Sequence, residues 1–297
     1  MTAVEVSAGP MELQRRDSAA ERSRRIRDRL ATGAIWASFL AAMIPLLLVA
    51  SYVVRAGMRV FGWKFLTTSI PIISSLPGPG MAPAIVGTLV ITAAATAMAV
   101  PLGVLGAIYL NEYGKRGRLA NLIRLMTDVM TGVPSIVMGL FIYTVWVLRY
   151  GLSGFAGALA LGCLMLPIIV RTSEEMLRLV PGHLREASAA LGTRTWKTTV
   201  RVVLPAALPG IVSGAMLAVA RAAGETAPLL FTIGIVNKSN THLFGTNTTL
   251  SAQIFRNAQV PFVGAQDRAW GAALTLILLV FVLTVAARLI TARFVRK

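Results

Sequence analysis

Arg221 and Glu225 stand four residues apart inside an apolar run that extends from about Leu208 to Ile233. Four residues make one helical turn, so the two side chains share a face. A charge at the bilayer centre costs about 2.5 to 3.5 kcal/mol on insertion scales, so such a pair faces protein or a water-filled path rather than lipid. A guanidinium there can meet a tetrahedral oxyanion through paired N–H donors, while the carboxylate neutralises it when the path is empty. The plainer alternative is an internal salt bridge that locks two helices. Gly210, Gly214, Ala218 and Ala222 recur every four residues beside the pair, a small-residue ridge for close helix packing, and Pro228 interrupts the run just beyond it.

A second group of polar residues lies between two long apolar runs, in LREASAALGTRTWKTTVRVVLP from Leu184 to Pro205. Pro181 suits a first helical turn, because its missing N–H would be an unpaired donor there, and Gly192 is placed to close that helix in the left-handed conformation. Thr193 or Thr195 can cap a second helix, in which Trp196, Val200, Val203 and Leu204 recur on one face while Arg194, Lys197 and Arg201 lie elsewhere. The product is a helix-turn-helix with an apolar side, a shape that another protein can grip. An ordinary amphipathic helix at the membrane surface is the alternative.

The elements that must position these residues are membrane helices. The chain of 297 residues is 56% hydrophobic and 14% charged, with mean hydropathy +0.71, too apolar for a soluble domain of this length. The net charge of +17 would suggest nucleic acid but for its placement. Seven arginines from Arg15 to Arg29 precede the first apolar run, Lys115, Arg116, Arg118 and Arg124 follow the second, and a further group lies in and beside 181–205. Arg288, Arg293, Arg296 and Lys297 close the chain, whereas the alternate segments hold only Arg55, Arg59, Lys64, Arg149, Lys238, Arg256 and Arg268. That asymmetry is the positive-inside pattern, and it predicts six spans with both termini and the 181–205 loop in the cytoplasm, and no nucleic acid partner.

In chain order, residues 1–30 read as a partly disordered cytoplasmic tail against anionic headgroups. Residues 31–82 hold span one, to about Val54 with Pro45 inside it, and an outer segment whose Pro77, Gly78, Pro79 and Gly80 forbid helix. Residues 83–291 hold the other five spans. Span two, from about Pro83 to Tyr109, is filled with Gly, Ala and Thr and is expected at the centre of the bundle. Span three, about Thr127 to Leu148, starts irregularly at Gly132 and Pro134, a break tolerable where protein or water satisfies the freed backbone groups. Span four, about Phe155 to Val170, delivers Arg171 to the cytoplasmic side. Span five carries Arg221, span six runs from about Arg268 to Ile290, and 292–297 form a cytoplasmic tail.

Glu186, Ala187 and Ser188, then Gly192, then Leu204 and Pro205 follow the spacing of the EAA loop and so resemble the membrane subunits of bacterial ABC importers; only Ser188 departs, standing where alanine is usual. The string GTLVITAAATAMAVPLGVLGAIYLNEY is similar to the start of that family's permease domain. RAAGETAP, Arg221 to Pro228, resembles the signature of the phosphate-specific branch, the PstA-like permeases. The resemblance implies an all-α membrane protein with the six-helix type I importer permease fold, a cytoplasmic coupling loop at 181–205, and inorganic phosphate as substrate. It implies a PstC-like second permease, a dimer of PstB-like ATP-binding subunits carrying ATP and Mg, and a PstS-like external phosphate-binding protein, all at the bacterial plasma (inner) membrane. It also implies that Arg221, and with it Arg171, are charges critical for transport, and that Glu186 to Ser188, Gly192, Leu204 and Pro205 couple to the ATPase.

No GxxxxGK[ST] loop is present, since Tyr109 stands where its first glycine is needed before Gly114 and Lys115, so ATP is expected to be hydrolysed on another chain. Neither HExxH nor GxSxG occurs, Cys163 is alone, and His183 and His242 fall on opposite sides of a predicted span, so no catalytic or metal-binding role and no cofactor in this chain is expected. Within transport, sulfate, molybdate or a polyamine are alternative substrates. A phospholipid-metabolising enzyme using Arg221 would need a nucleophile or metal cluster beside it. A sensory partner reporting ATPase state through the loop would coexist with transport.

Overall fold

The computed structural model describes residues 10–295 apart from 74, 76, 77, 79, 115 and 116, and the side chains from residue 24 on apart from 287 and 290–295. The chain divides into two units, residues 1–54 and 55–297. The first is essentially the long helix α1 (Pro10–Gly57), whose last turn belongs to the second unit. α1 is already helical at Pro10, where the sequence predicts a partly disordered tail, and residues 1–9 lie outside the described set. Leu, Ile and Val recur on every side of it between Leu30 and Val49, and by length and composition this helix can cross a membrane.

The second unit begins with the short α2 (Trp63–Thr67), then α3 (Ala82–Ile108), which continues through a π-helical turn at Tyr109–Gly114. The predicted helix-free stretch before α3 includes Pro77 and Pro79, and the basic loop after it includes Lys115 and Arg116, all outside the described residues. α4 (Arg118–Gly132) and α5 (Ser135–Ile142) follow, then a second π turn (Tyr143–Val147) and the single turn α6 (Leu148–Tyr150). α7 (Gly154–Leu179) leads into α8 (Gly182–Ala190) and α9 (Thr195–Thr198). A third π turn (Thr199–Val203) joins α9 to α10 (Leu204–Gly224). α11 (Ala227–Thr232), α12 (Leu250–Ala258) and α13 (Val263–Val295) complete it. Among the described residues, five helices are long and apolar enough to cross a membrane, and six if the bent pair α4–α5 counts as one span.

Three of the predicted spans differ from the helices observed. Span three is two helices bent by 106°. Pro134 offers no N–H, and the residue before a proline is driven out of the helical region, so Val133 is extended (φ −70°, ψ 125°) and α4 stops at Gly132. Span four does not end near Val170; α7 runs nine residues further and carries Arg171, Glu174 and Arg178 on one helix. Span five is broken before Pro228 and not at it. α10 stops at Gly224, Glu225 is extended (φ −66°, ψ 135°), and Pro228 sits in the first turn of α11, where a missing N–H costs nothing.

The core of the second unit is built on α7, which has 61% of its apolar window buried against 33% for α3, the helix predicted to be central. Ile91, Ala95 and Ala99 of α3, Leu161, Met165 and Ile169 of α7, and Ala218 and Ala222 of α10 form one cluster. The predicted ridge of α10 packs against α7. Added Cβ atoms at Gly210 and Gly214 would lie 2.6 Å or less from Met176 Cγ or Thr172 Oγ1, so a side chain at Gly214 must displace the stiff Thr172 and one at Gly210 must swing Met176 aside. Dispersion at this separation, and not exclusion of water, drives such packing inside a bilayer.

Candidate functional site

The ends of two broken helices meet. Residues of the break between α4 and α5 and of the break between α10 and α11 line one cleft, and just beyond them Gly139 of α5 lies on Pro228 of α11: a Cβ at Gly139 would come within 2.6 Å of the proline Cα. Between the breaks and α7 opens a cleft of about 230 Å³, lined by Thr131, Pro134, Ser135, Pro167, Arg221 and Glu225 among others. That is room for several waters or a small hydrated ion.

Arg221 lies in the last turn of α10 and Glu225 is the residue after the helix. Their Nε and Oε1 atoms are 3.5 Å apart, an ion pair too long for the short charge-assisted hydrogen bond such groups can form. Arg221 is 70% exposed and Glu225 19%, so the guanidinium stands on the open side of the cleft while the carboxylate is sheltered. The extended backbone at Glu225 is held from two sides: its N–H donates to the Ala222 carbonyl at 3.2 Å, and its carbonyl accepts from the Ser251 hydroxyl of α12 at 2.9 Å.

Arg171 does not line the cleft. It lies three residues beyond Ile168 on α7 and pairs with Asp128 of α4, a residue the sequence reading did not single out. A turn further on, the carboxylate of Glu174 is 2% exposed and accepts from Arg124 Nε of α4 at 2.9 Å and Arg178 Nη2 at 2.6 Å. The two antiparallel helices are thus cross-braced by opposite charges, Arg124 with Glu174 and Asp128 with Arg171, and a buried carboxylate with two guanidinium partners escapes the penalty of an unpaired charge. The legible signal was the scarcity of acids, 12 in the whole chain, several of them at helical spacing from an arginine.

In the 181–205 loop, Gly192 has φ +71°, its N–H donates to the Ala189 carbonyl at 2.9 Å and the Thr193 N–H to the Ser188 carbonyl at 3.2 Å. That is the Schellman closure expected of α8. α9 begins at Thr195 after Arg194, without a side-chain cap from either threonine proposed for it. Ser188 is buried and its hydroxyl meets that of Thr198 at 2.8 Å, so the serine that replaces the usual alanine bridges α8 to α9. Leu204 packs in a cluster with Leu177, Val203 and Ala207, and Pro205 stands in the first turn of α10. Glu186 and Ala187 are exposed. So are Leu191, Trp196 and Val200, large apolar residues on the loop's outer side.

Residues 99–297 match the family model described as binding-protein-dependent transport system inner membrane component. The chain is 45% identical over 282 residues to phosphate transport system permease protein PstA 1 of Mycobacterium tuberculosis (strain ATCC 25618 / H37Rv), covering 92% of this chain and 89% of that one. It is 39% identical over 271 residues to phosphate transport system permease protein PstA of Yersinia pestis, covering 91% and 92%. Among solved structures, a bacterial ABC transporter involved in the import of the acidic polysaccharide alginate superposes with a TM-score of 0.62 at 16% identity, covering 91% of this chain and 99% of that one. An inward-facing MetNI methionine ABC transporter does so at 0.57 and 20%, covering 72% and 94%.

Proposed function

Because this chain belongs to the family of binding-protein-dependent transport system inner membrane components and shares the type I ABC importer permease fold, we propose that it is the transmembrane permease subunit of an ATP-driven importer of inorganic phosphate. The observation that carries the reading is Arg221: a guanidinium 70% exposed on a membrane-spanning helix, at the mouth of a cleft formed by two helix breaks. It cannot face lipid without heavy cost, so protein and water must cover it, and transporter substrate sites are commonly formed where membrane helices are discontinuous. A second, PstC-like permease supplies the covering wall. The substrate assignment is supported by the relatives, which are phosphate transport permeases over most of their length.

In this reading the guanidinium fork binds the oxyanion as it passes, Glu225 holds the fork between passages, and Arg171 receives the anion on the cytoplasmic side. ATP is hydrolysed by PstB-like subunits that grip α8 through Glu186, Leu191 and the turn at Gly192, and a PstS-like protein delivers phosphate from outside. Both termini are cytoplasmic in the inner membrane. The test is uptake into cells or proteoliposomes containing all four components. Labelled phosphate should accumulate and an excess of unlabelled sulfate should not compete; accumulation of sulfate instead of phosphate sinks the assignment.

A further inference from the structure

Arg185 fastens the 181–205 loop to the membrane helices by polar contacts, beside the apolar packing of Leu184, Val203 and Leu204. Its guanidinium donates to the Glu112 carboxylate at 2.9 Å through Nη2 and 3.2 Å through Nε, to the Val180 carbonyl at 2.7 Å and to the Leu177 carbonyl at 2.9 Å. The two carbonyls belong to the C-terminal end of α7, where backbone acceptors lack helical partners. Glu112 is only 7% exposed and lies in the π turn that ends α3. The Glu112 carboxylate also accepts from Asn111 Nδ2 within the turn at 2.7 Å, and a second element holds the turn from α4, where Arg124 Nη2 donates to the Leu110 carbonyl at 3.0 Å. The far end of α4 supplies Met130 and Thr131 to the cleft. The neighbouring Glu186, by contrast, is exposed on α8.

A π turn is an α-helix with one residue too many, and such turns are frequent at functional sites. Here two arginines hold it, one on the loop and one on the helix that lines the cleft. We propose that Arg185 and Glu112 are the positioning pair through which movement of α8 reaches α4: α8 pulls Glu112, the π turn 109–114 shifts, and Arg124 carries the shift along α4 to the break at Val133. The proposal rests on the reading of α8 as the element an ATPase grips, and it assigns the mechanical connection to Arg185 and not to Glu186.

The experiment uses the full transporter in proteoliposomes, with Cys163 replaced by serine and nitroxides placed at the exposed positions Val129 of α4 and Leu217 of α10. The variants are Glu112→Gln, Arg185→Met and the two together. ATP should change the nitroxide separation in the unmodified transporter, and each single variant should reduce both that change and phosphate-stimulated ATP hydrolysis by about 2- to 30-fold. Basal hydrolysis by Glu112→Gln should stay within about twofold, since Glu112 does not touch the gripped face of α8. The double variant leaves no buried charge without a partner, so assembly should match the unmodified level while the ATP-driven distance change stays lost. Recovery of that change in the double variant, or its persistence in the singles, overturns the proposal and makes the pair a brace for folding. Absence of an ATP-driven change in the unmodified transporter overturns it as well. A normal ATP-driven change with no response of hydrolysis to phosphate counts against phosphate as substrate and leaves the linkage standing.

Discussion

The hydroxyl of Ser251 donates to the carbonyl of Glu225 at 2.9 Å, joining the first turn of α12 to the break after α10. Without it, the Glu225 carbonyl would have no helical N–H to receive, because the backbone there is extended. Ser251→Ala removes this part-buried hydrogen bond and the contact of the hydroxyl with that of Thr249 at 3.2 Å, a loss of about 1 to 3 kcal/mol where a partner is left unsatisfied. Phosphate uptake should fall several-fold at unchanged membrane abundance, because Glu225 and with it the Arg221 fork lose their fixed position. Uptake at matched abundance checks this, and an unchanged rate removes the role given to Ser251.

Gly139→Ala should damage assembly. Its Cβ would sit 2.6 Å from the Cα of Pro228, a backbone atom of a rigid residue, so α5 and α11 must part, at about 1 to 3 kcal/mol for an overpacked methyl group. Gly132→Ala is the matched control, since a Cβ there meets nothing within 4 Å. Thermal unfolding of the detergent-solubilised complex should show a lower midpoint for the first variant and no loss for the second.

Arg221→Lys keeps the charge but loses the planar fork and should impair uptake; Arg221→Gln should abolish it, with assembly intact in both because the 3.5 Å pair with Glu225 lies within one turn of the same helix end and joins no two elements. The deciding case is Arg221→Gln combined with Glu225→Gln. Uptake near the unmodified rate in that double variant, at matched abundance, would make the pair a structural salt bridge and withdraw Arg221 from the anion path.

Gly192→Val places a β-branched residue at φ +71°, a left-handed conformation that costs roughly 1 to 2 kcal/mol for side chains with a Cβ. The Schellman closure should loosen and the ATPase should run without transport. Basal hydrolysis retained with loss of phosphate stimulation is the expected result, read on the reconstituted complex. Full uptake by this variant would show that the turn at Gly192 plays no part in coupling.

An accessibility reporter fused after Lys297 should be active only in the cytoplasm, as the placement of basic residues requires. Activity on the outer face would invert the whole topology, and with it the side on which the 181–205 loop lies.

What could be read from residues alone was local. The Gly210 to Ala222 ridge, the left-handed Gly192 and the small residues of α3 each follow from a period or a conformational preference confined to a few neighbours. The breaks were legible in kind and not in place. Pro134 and Pro228 both announce disruption, yet one ends a helix before it and the other begins a helix around it, and the difference depends on which backbone groups find partners such as Ser251 far along the chain. The partners of Arg171 and Arg185 were not legible, since Asp128 and Glu112 lie 43 and 73 residues away and only the antiparallel packing of α4 on α7 and the wrap of α8 onto α3 bring them together. The Ser188 hydroxyl was visible as a departure from the usual alanine, but its reason, Thr198, required the turn to be closed first.

The π turn at Thr199–Val203 sits between the segment that carries Trp196 and the helix whose glycines pack on α7. One surplus residue in a helix offsets everything on one side of it from everything on the other by about 100° of rotation. The azimuth of the loop's outer side is therefore set separately from the azimuth of the packed ridge. Deleting a single residue from 199–203 should leave Gly210 and Gly214 where they are and turn Trp196 by more than a quarter of a circle, so that the same bundle would present a different flank of the loop.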